Sequence, residues 1–358
     1  MTGSGPTGPG GTTGARRLPD FPWDRLAPYA RTARSHPGGI IDLSVGTPVD
    51  PTPAVATEAL AAAADAPGYP QTYGTPWLRE VVARWFARRR GATGVDPAGV
   101  LPTVGSKEFV AWLPTLLGLG PGDTVVHPAT ANPTNDIGAR LAGARPVPAD
   151  DPVRGEHPGR VRLLWLNTPG NPHGRVLSVP ELAEAVAWAR AHDVVVASDE
   201  CYAELGWDVP EVPSVLDPRV CGGSHRGLLA VYSLSKQSNL AGYRAAFAAG
   251  DPVLVRQLLE VRKHAGMMVP APVQHVLGTV LDDDNHVAEQ RERYRARREA
   301  ARAALLAAGF RIEHSEAGLY HRHRRTSGRV GGSARLSACP GPTARSHSDR
   351  WQAGPTSG

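Results

Sequence analysis

Few cysteines, no long apolar run and no internal repeat mark this chain of 358 residues. Cys201, Cys221 and Cys339 form no even set and no C-x-x-C pair. That excludes a disulfide framework, argues against a structural zinc or other metal site, and suits a reducing compartment. No apolar stretch nears the roughly 20 residues a bilayer span needs. Residues 1–15, MTGSGPTGPGGTTGA, lack the charged start and apolar core of a secretory leader. They are expected to be a disordered leader on a cytoplasmic protein. A basic stripe is also missing. The net charge of +5 gathers in residues 321–358, with seven arginines and one aspartate, whereas the 320 residues before them carry 32 basic and 33 acidic groups. Nucleic acid is therefore not an expected partner, and residues 16–45 are too short for a DNA-binding domain.

Hydrophobic residues make up 41% of the chain, enough at this length for a large core. Patterning predicts helices near 23–35, 54–65, 77–90, 180–191, 251–264 and 283–308, and another opening at Val104-Gly-Ser-Lys-Glu-Phe. Strands are expected near 40–44 and at 124–127, 161–166, 194–198 and 228–232, with a further strand starting at Phe310. The charges of the 283–308 helix, Glu289, Arg291, Glu292, Arg293, Arg295 and Arg298, suit a solvated face. Alternating strands and helices imply an α/β fold with parallel pairing through crossovers. Ligands of such sheets lie off the carboxyl ends of the strands. Asn171, Asp199 and Lys236 each follow such an end.

The most telling stretch is Val231-Tyr-Ser-Leu-Ser-Lys-Gln-Ser-Asn-Leu-Ala-Gly-Tyr-Arg244. A lysine at the mouth of a buried strand is costly, and desolvation leaves its amine neutral and nucleophilic. Arg244 offers a planar fork for a phosphate dianion. Ser233 and Ser235 can bond the same anion. Gly105, Ser106 and Lys107 open a helix whose free N–H groups also suit an anion. An imine-forming amine beside a phosphate site fits pyridoxal 5'-phosphate (PLP). Asp199, ending an apolar strand, is expensive unless paired or capping a helix. Asn171-Pro is by itself an ordinary turn.

That stretch, with Asn167-Thr-Pro-Gly-Asn-Pro-His-Gly174 and Ser198-Asp-Glu-Cys-Tyr202, resembles the fold-type I, class I/II PLP-dependent aminotransferases over roughly residues 17–320. Leu18-Pro-Asp-Phe-Pro-Trp-Asp and Arg262-Lys-His-Ala-Gly-Met-Met look most like the actinobacterial succinyldiaminopimelate branch. The resemblance implies an aspartate aminotransferase-like architecture, with a large PLP-binding domain over 46–282 and a small domain built from 16–45 and from 283 onward. It implies Lys236 as cofactor lysine and general base. Asp199 would sit on the ring nitrogen, and Asn171 and Tyr202 on the phenolic oxygen. Gly105, Ser106, Lys107, Ser233, Ser235 and Arg244 would hold the phosphate, with Tyr69 reaching it from a neighbouring subunit of a homodimer. Tyr69 reads equally well as loop packing. Gly46 and Asn171 would meet substrate. The implied reaction moves an amino group between N-succinyl-LL-2,6-diaminopimelate and 2-oxoglutarate, in lysine precursor synthesis. The alternatives are another PLP aminotransferase, a C–S lyase of the same fold, or an inactive relative.

There are two departures. Where the family has Tyr-Pro-x-Tyr to stack on the cofactor ring, this chain has Asn132-Pro-Thr-Asn135. Nothing after Tyr320 matches the family's arginine for the substrate α-carboxylate. Residues 321–358, one Trp and no Phe, Tyr or Ile, cannot bury enough surface to offset ordering. A shifted reading frame or an otherwise replaced C-terminus, with a disordered tail and an incomplete small domain, is expected there; the alternative is a genuine basic tail.

Overall fold

The computed structural model describes residues 18–42, 45–155 and 157–325. The expected leader over 1–15 and the tail beyond 325 lie outside them. The chain divides between Asp42 and Leu43 into two compact units. The first holds a 3-10 turn, Pro22–Leu26, and helix α1 (Ala27–Arg34), neither with a buried residue. The strand expected near 40–44 does not form over 40–42, and 43 and 44 lie outside the described residues. Ile41 is 88% exposed, so no sheet partner compensates its backbone.

The second unit is built on a seven-stranded sheet. Its strands are β1 (Val100–Val104), β2 (Asp123–His127), β3 (Arg145–Pro148), β4 (Arg160–Asn167), β5 (Val195–Asp199), β6 (Leu228–Ser233) and β7 (Ala245–Gly250). They lie in the order β1-β7-β6-β5-β4-β2-β3. The run from β3 to β6 is parallel throughout. The sheet is thus mostly parallel, as expected, the exception being β7, which is antiparallel to both β6 and β1. Only residues 234–244 join β6 to β7, too few for the crossover a parallel return needs. Leu228, Ala230 and Tyr232 of β6 face one core, and Leu229 and Val231 the other, as the two-residue period of a strand requires. Helices α2 (Ala54–Ala62), α3 (Pro76–Arg90), α6 (Val179–Ala191) and α10 (Ala271–Leu281) pack into the first core. Helices α4 (Ser106–Leu116), α5 (Thr134–Ala142) and α9 (Pro252–Arg262) pack into the second. Two short helices, α7 (Pro218–Cys221) and α8 (Leu234–Gln237), flank β6 in sequence, and α11 (Asn285–Ala307) is the longest.

A two-stranded sheet follows. Strand β8 (Phe310–Glu313) pairs antiparallel with β9 (Arg322–Arg325). The expected lack of structure from 321 onward therefore fails for 322–325, where backbone pairing with β8 offsets the poor composition. The solvated face expected of α11 holds for Glu289, Glu292 and Arg293 but not for Arg298. The Arg298 side chain is 8% exposed, pairs with Asp208, and donates to the Ser315 carbonyl at 2.7 Å. Among the described residues no helix is long and apolar enough to cross a membrane.

Candidate active site

Strands β4, β5 and β6 are neighbours, and their carboxyl ends bring the central residues together. Asn167 ends β4 opposite Asp199, which ends β5. The Asn167 amide donates to the Asp199 carbonyl at 3.1 Å and to the Pro169 carbonyl at 3.2 Å. Its oxygen accepts the Asn171 N–H at 2.9 Å. That fixes Asn171, whose side chain donates to the Tyr202 hydroxyl at 3.3 Å. Burial and the adjacent Tyr320 hydroxyl push the Tyr202 phenol well above its usual range. The two rings meet edge to face at 6.0 Å.

The α8 turn after β6 aims Lys236 at the same place. Its ammonium donates to the Gly46 carbonyl. Burial lowers its basicity. A Cβ on Gly46 would lie 2.3 Å from the Tyr320 hydroxyl, so a larger residue there would displace the Tyr320 ring. The Asp199 carboxylate accepts the Cys201 N–H at 3.1 Å, and no helix follows it, so it is not a helix cap. Burial raises its pKa, and no cation pairs with it among the described residues.

The anion end lies at the start of α4. Gly105 has φ +74° and donates to the Arg244 carbonyl at 2.8 Å. A Cβ there would sit 1.9 Å from Arg244 Nη2, so the guanidinium lies over the glycine. Arg244 is exposed and donates to the Ala241 carbonyl at 2.8 Å. The Ser233 and Ser235 hydroxyls are 2.8 Å apart. The Ser106 hydroxyl bonds the Cys201 thiol, which burial pushes up. Lys107 is exposed on the first turn of α4. Tyr69 is 98% exposed and joins none of these groups within this chain. Asn132 is exposed. Its oxygen accepts from Thr134 N at 3.1 Å and Thr134 Oγ1 at 2.9 Å, a local bond to the first residue of α5 from one place ahead of its cap position, Pro133. Arg322 pairs with Glu313 at 3.6 Å and not with the Lys236 cluster.

The family model of class I and II aminotransferases matches residues 38–327. The chain is a class I and II aminotransferase. It is 60% identical over 306 residues to the 4-dedimethylamino-4-oxo-anhydrotetracycline transaminase OxyQ of Streptomyces rimosus, covering 85% of this chain and 84% of that one. A protein of Mycobacterium tuberculosis described as the probable aminotransferase Rv1178 is 58% identical over 303 residues, 85% and 72% of the two chains. The solved N-succinyldiaminopimelate aminotransferase of the same organism superposes with a TM-score of 0.72 at 28% identity, over 82% and 81%. The fold is aspartate aminotransferase-like, and as a member of this class the aminotransferase uses PLP.

This aminotransferase's own donors fit that cofactor. The phosphate suits Arg244, the serines and the first turn of α4. Asp199, half-buried and with no cation partner among the described residues, suits a protonated ring nitrogen, whose charge would lower a pKa that desolvation raises. Asn171 and Tyr202 suit the phenolic oxygen, and Lys236 the aldehyde. Sequence reasoning missed Asn167 and Tyr320. Asn167 opens the same Asn-Pro motif and carried a signal. Tyr320 carried only its place at the end of Glu-Ala-Gly-Leu-Tyr.

Proposed function

We propose that Lys236 is the reactive amine and proton carrier of a transaminase reaction. The observation that carries this is the chain of contacts from the half-buried Lys236 amine through Gly46 and Tyr320 to Tyr202 and Asn171, beside the strand ends that bear Asn167 and Asp199. When bound, PLP supplies an aldehyde that condenses with amines and a ring that accepts the electron pair left at the substrate's Cα. Asp199 would hold a proton at the ring nitrogen. Asn171 and Tyr202 would donate to the phenolic oxygen. Arg244, Ser233, Ser235 and the α4 start would anchor the phosphate. Lys236, whose basicity burial lowers, would take the proton from the substrate's Cα and return it on the other side of the reaction. Residues 46–282 would carry this site and 283–320 begin a second domain.

For substrate, we propose N-succinyl-LL-2,6-diaminopimelate with 2-oxoglutarate as acceptor, in lysine and diaminopimelate synthesis in the cytoplasm. The similarity to the succinyldiaminopimelate enzyme supports it. A second reading has its own observation: the 60% identical relative is named for a ketone on a polycyclic skeleton. Under that reading the acceptor is a large cyclic ketone that brings no α-carboxylate, and its amino group comes from an amine donor in the other half-reaction. A homodimer is proposed as well, since the exposed Tyr69 is then free to enter the partner's phosphate site. Assaying one preparation with both acceptor classes separates the readings. Turnover with succinyl-diaminopimelate and 2-oxoglutarate supports the first. Turnover only with the cyclic ketone overturns it.

A further inference from the structure

Helix α11 turns a buried polar face toward the lysine. His286, Gln290 and Tyr294 stand four residues apart and Arg297 three further, all on one side of the helix. Gln290 is 2% exposed, and His286 and Tyr294 are buried with it. Their partners come from two separate segments. One is the chain just past Lys236. Ser238 Oγ lies 2.8 Å from His286 Nε2, and His286 Nδ1 lies 3.0 Å from Asp283. Asn239 donates to Gln290 Oε1 at 2.9 Å and accepts from the Tyr294 hydroxyl at 3.2 Å. The other segment is the turn that carries Gly46. Gln290 Nε2 donates to Asp50 at 2.8 Å, and Arg297 makes a two-pronged pair with the same carboxylate at 2.6 Å for each prong. Asn239 also reaches the Pro51 carbonyl at 3.3 Å.

These two segments meet where the Lys236 amine donates to the Gly46 carbonyl. Gln290 bonds both, one with each end of its amide. Buried amides tolerate a lost partner poorly, so the arrangement has little freedom.

We propose that the α11 face of His286, Gln290 and Tyr294 is a positioning device that sets the Lys236 segment against the Gly46 turn. Gln290 is its pivot. The proposal rests on Lys236 being the reactive amine. The α11 residues do not touch the reacting atoms; they act through Ser238, Asn239 and Asp50.

The test uses the full chain. Lys107 and Lys263 are its only other lysines, so they serve as internal references. Cofactor-free protein is acylated with trace acetic anhydride, and the rate at Lys236 is read against both by peptide mass spectrometry. Gln290→Leu is expected to change that relative rate at least about threefold. In the PLP-loaded protein it is expected to lower kcat between about 2- and 30-fold, with KM for the amino donor changed less, as for coupling through an intermediary. Gln290→Glu combined with Asp50→Asn exchanges donor and acceptor and keeps both hydrogen bonds of position 290, while Arg297 keeps one of its two prongs, and is expected to recover kcat and labelling together relative to Gln290→Glu alone. Should Gln290→Leu fail to fold, Gln290→Glu alone carries the test, because it keeps the Asn239 contact and opposes Asp50. Unchanged labelling and kcat in a folded variant overturn the proposal, as does a loss the exchanged pair does not recover. Full turnover by Lys236→Ala would instead overturn the lysine assignment, while the labelling of cofactor-free protein still reports on the positioning.

Discussion

The turn between β6 and β7 and the turn between β2 and α5 leave the same end of the sheet, yet they use their polar side chains differently. In the first, Gln237, Ser238 and Asn239 are all buried, and each is bonded: Gln237 to Tyr232, Ser238 to His286, Asn239 to Gln290 and Tyr294. In the second, Asn132 is exposed and bonds only its own helix start. A buried polar side chain that loses its partner costs about 1–3 kcal/mol, so the first turn holds one geometry. An exposed local bond of that kind contributes about 0.5–1.5 kcal/mol and constrains little else. The site is therefore rigid where the lysine emerges and plainly built where an aromatic ring would cover the cofactor.

The most direct way to break this contrast is at its rigid end. Lys236→Ala is expected to lower turnover at least about 10³-fold, as removal of a positioned proton carrier does. A steady-state assay with saturating PLP checks this, and a loss below tenfold would place the chemistry elsewhere. Asp199→Asn comes next, at about 10²-fold in turnover. It also has a signature in the cofactor-free protein. The Asp199 pKa is raised in the fold, so its ionisation costs stability as pH rises above the ordinary carboxyl value near 3.8. The variant should thus melt above wild type at pH 7 and lose that advantage as pH falls towards 4. Thermal melts at the two pH values decide it.

Arg244→Ala is expected to weaken PLP binding about 10- to 150-fold, matching the ~1.5–3 kcal/mol of a hydrogen bond to a charged group. Its exposure sets the effect at the lower end. Equilibrium dialysis measures it. The smallest effect belongs to the other turn. Asn132→Tyr should tighten PLP by ~0.5–1.5 kcal/mol through ring contact, while the lost bonds to Thr134 lower cofactor-free stability by ~0.5–1.5 kcal/mol. Affinity and melting temperature moving in opposite directions would reinforce the difference between the two turns. Both falling would show that no ring reaches the cofactor from position 132.

What was legible in the sequence follows from the same physics. Short apolar strands ending in Asn, Asp or Ser announce buried carboxyl ends, so the sequence alone groups Asn171, Asp199 and Lys236. Strand β7 could not be read, because Ala-Ala-Phe-Ala-Ala-Gly has poor strand preference and forms between β1 and β6 by tertiary pairing. The α11 face was hidden for another reason. His286, Gln290 and Tyr294 lie in or beside a run with eight charged residues between 289 and 299, and a polar residue that will be buried looks in sequence like one that will be wet. Strand β9 was masked by the same basic composition that made 321 look like the start of an unstructured tail.

The functional reading stands or falls on Lys236 as the amine that takes the cofactor. Incubating the full chain with PLP, reducing with borohydride and mapping the peptides tests it in one step. The cofactor-derived group is expected on Lys236, with none in that peptide of a Lys236→Ala control. The group on Lys107 or Lys263 instead would contradict it.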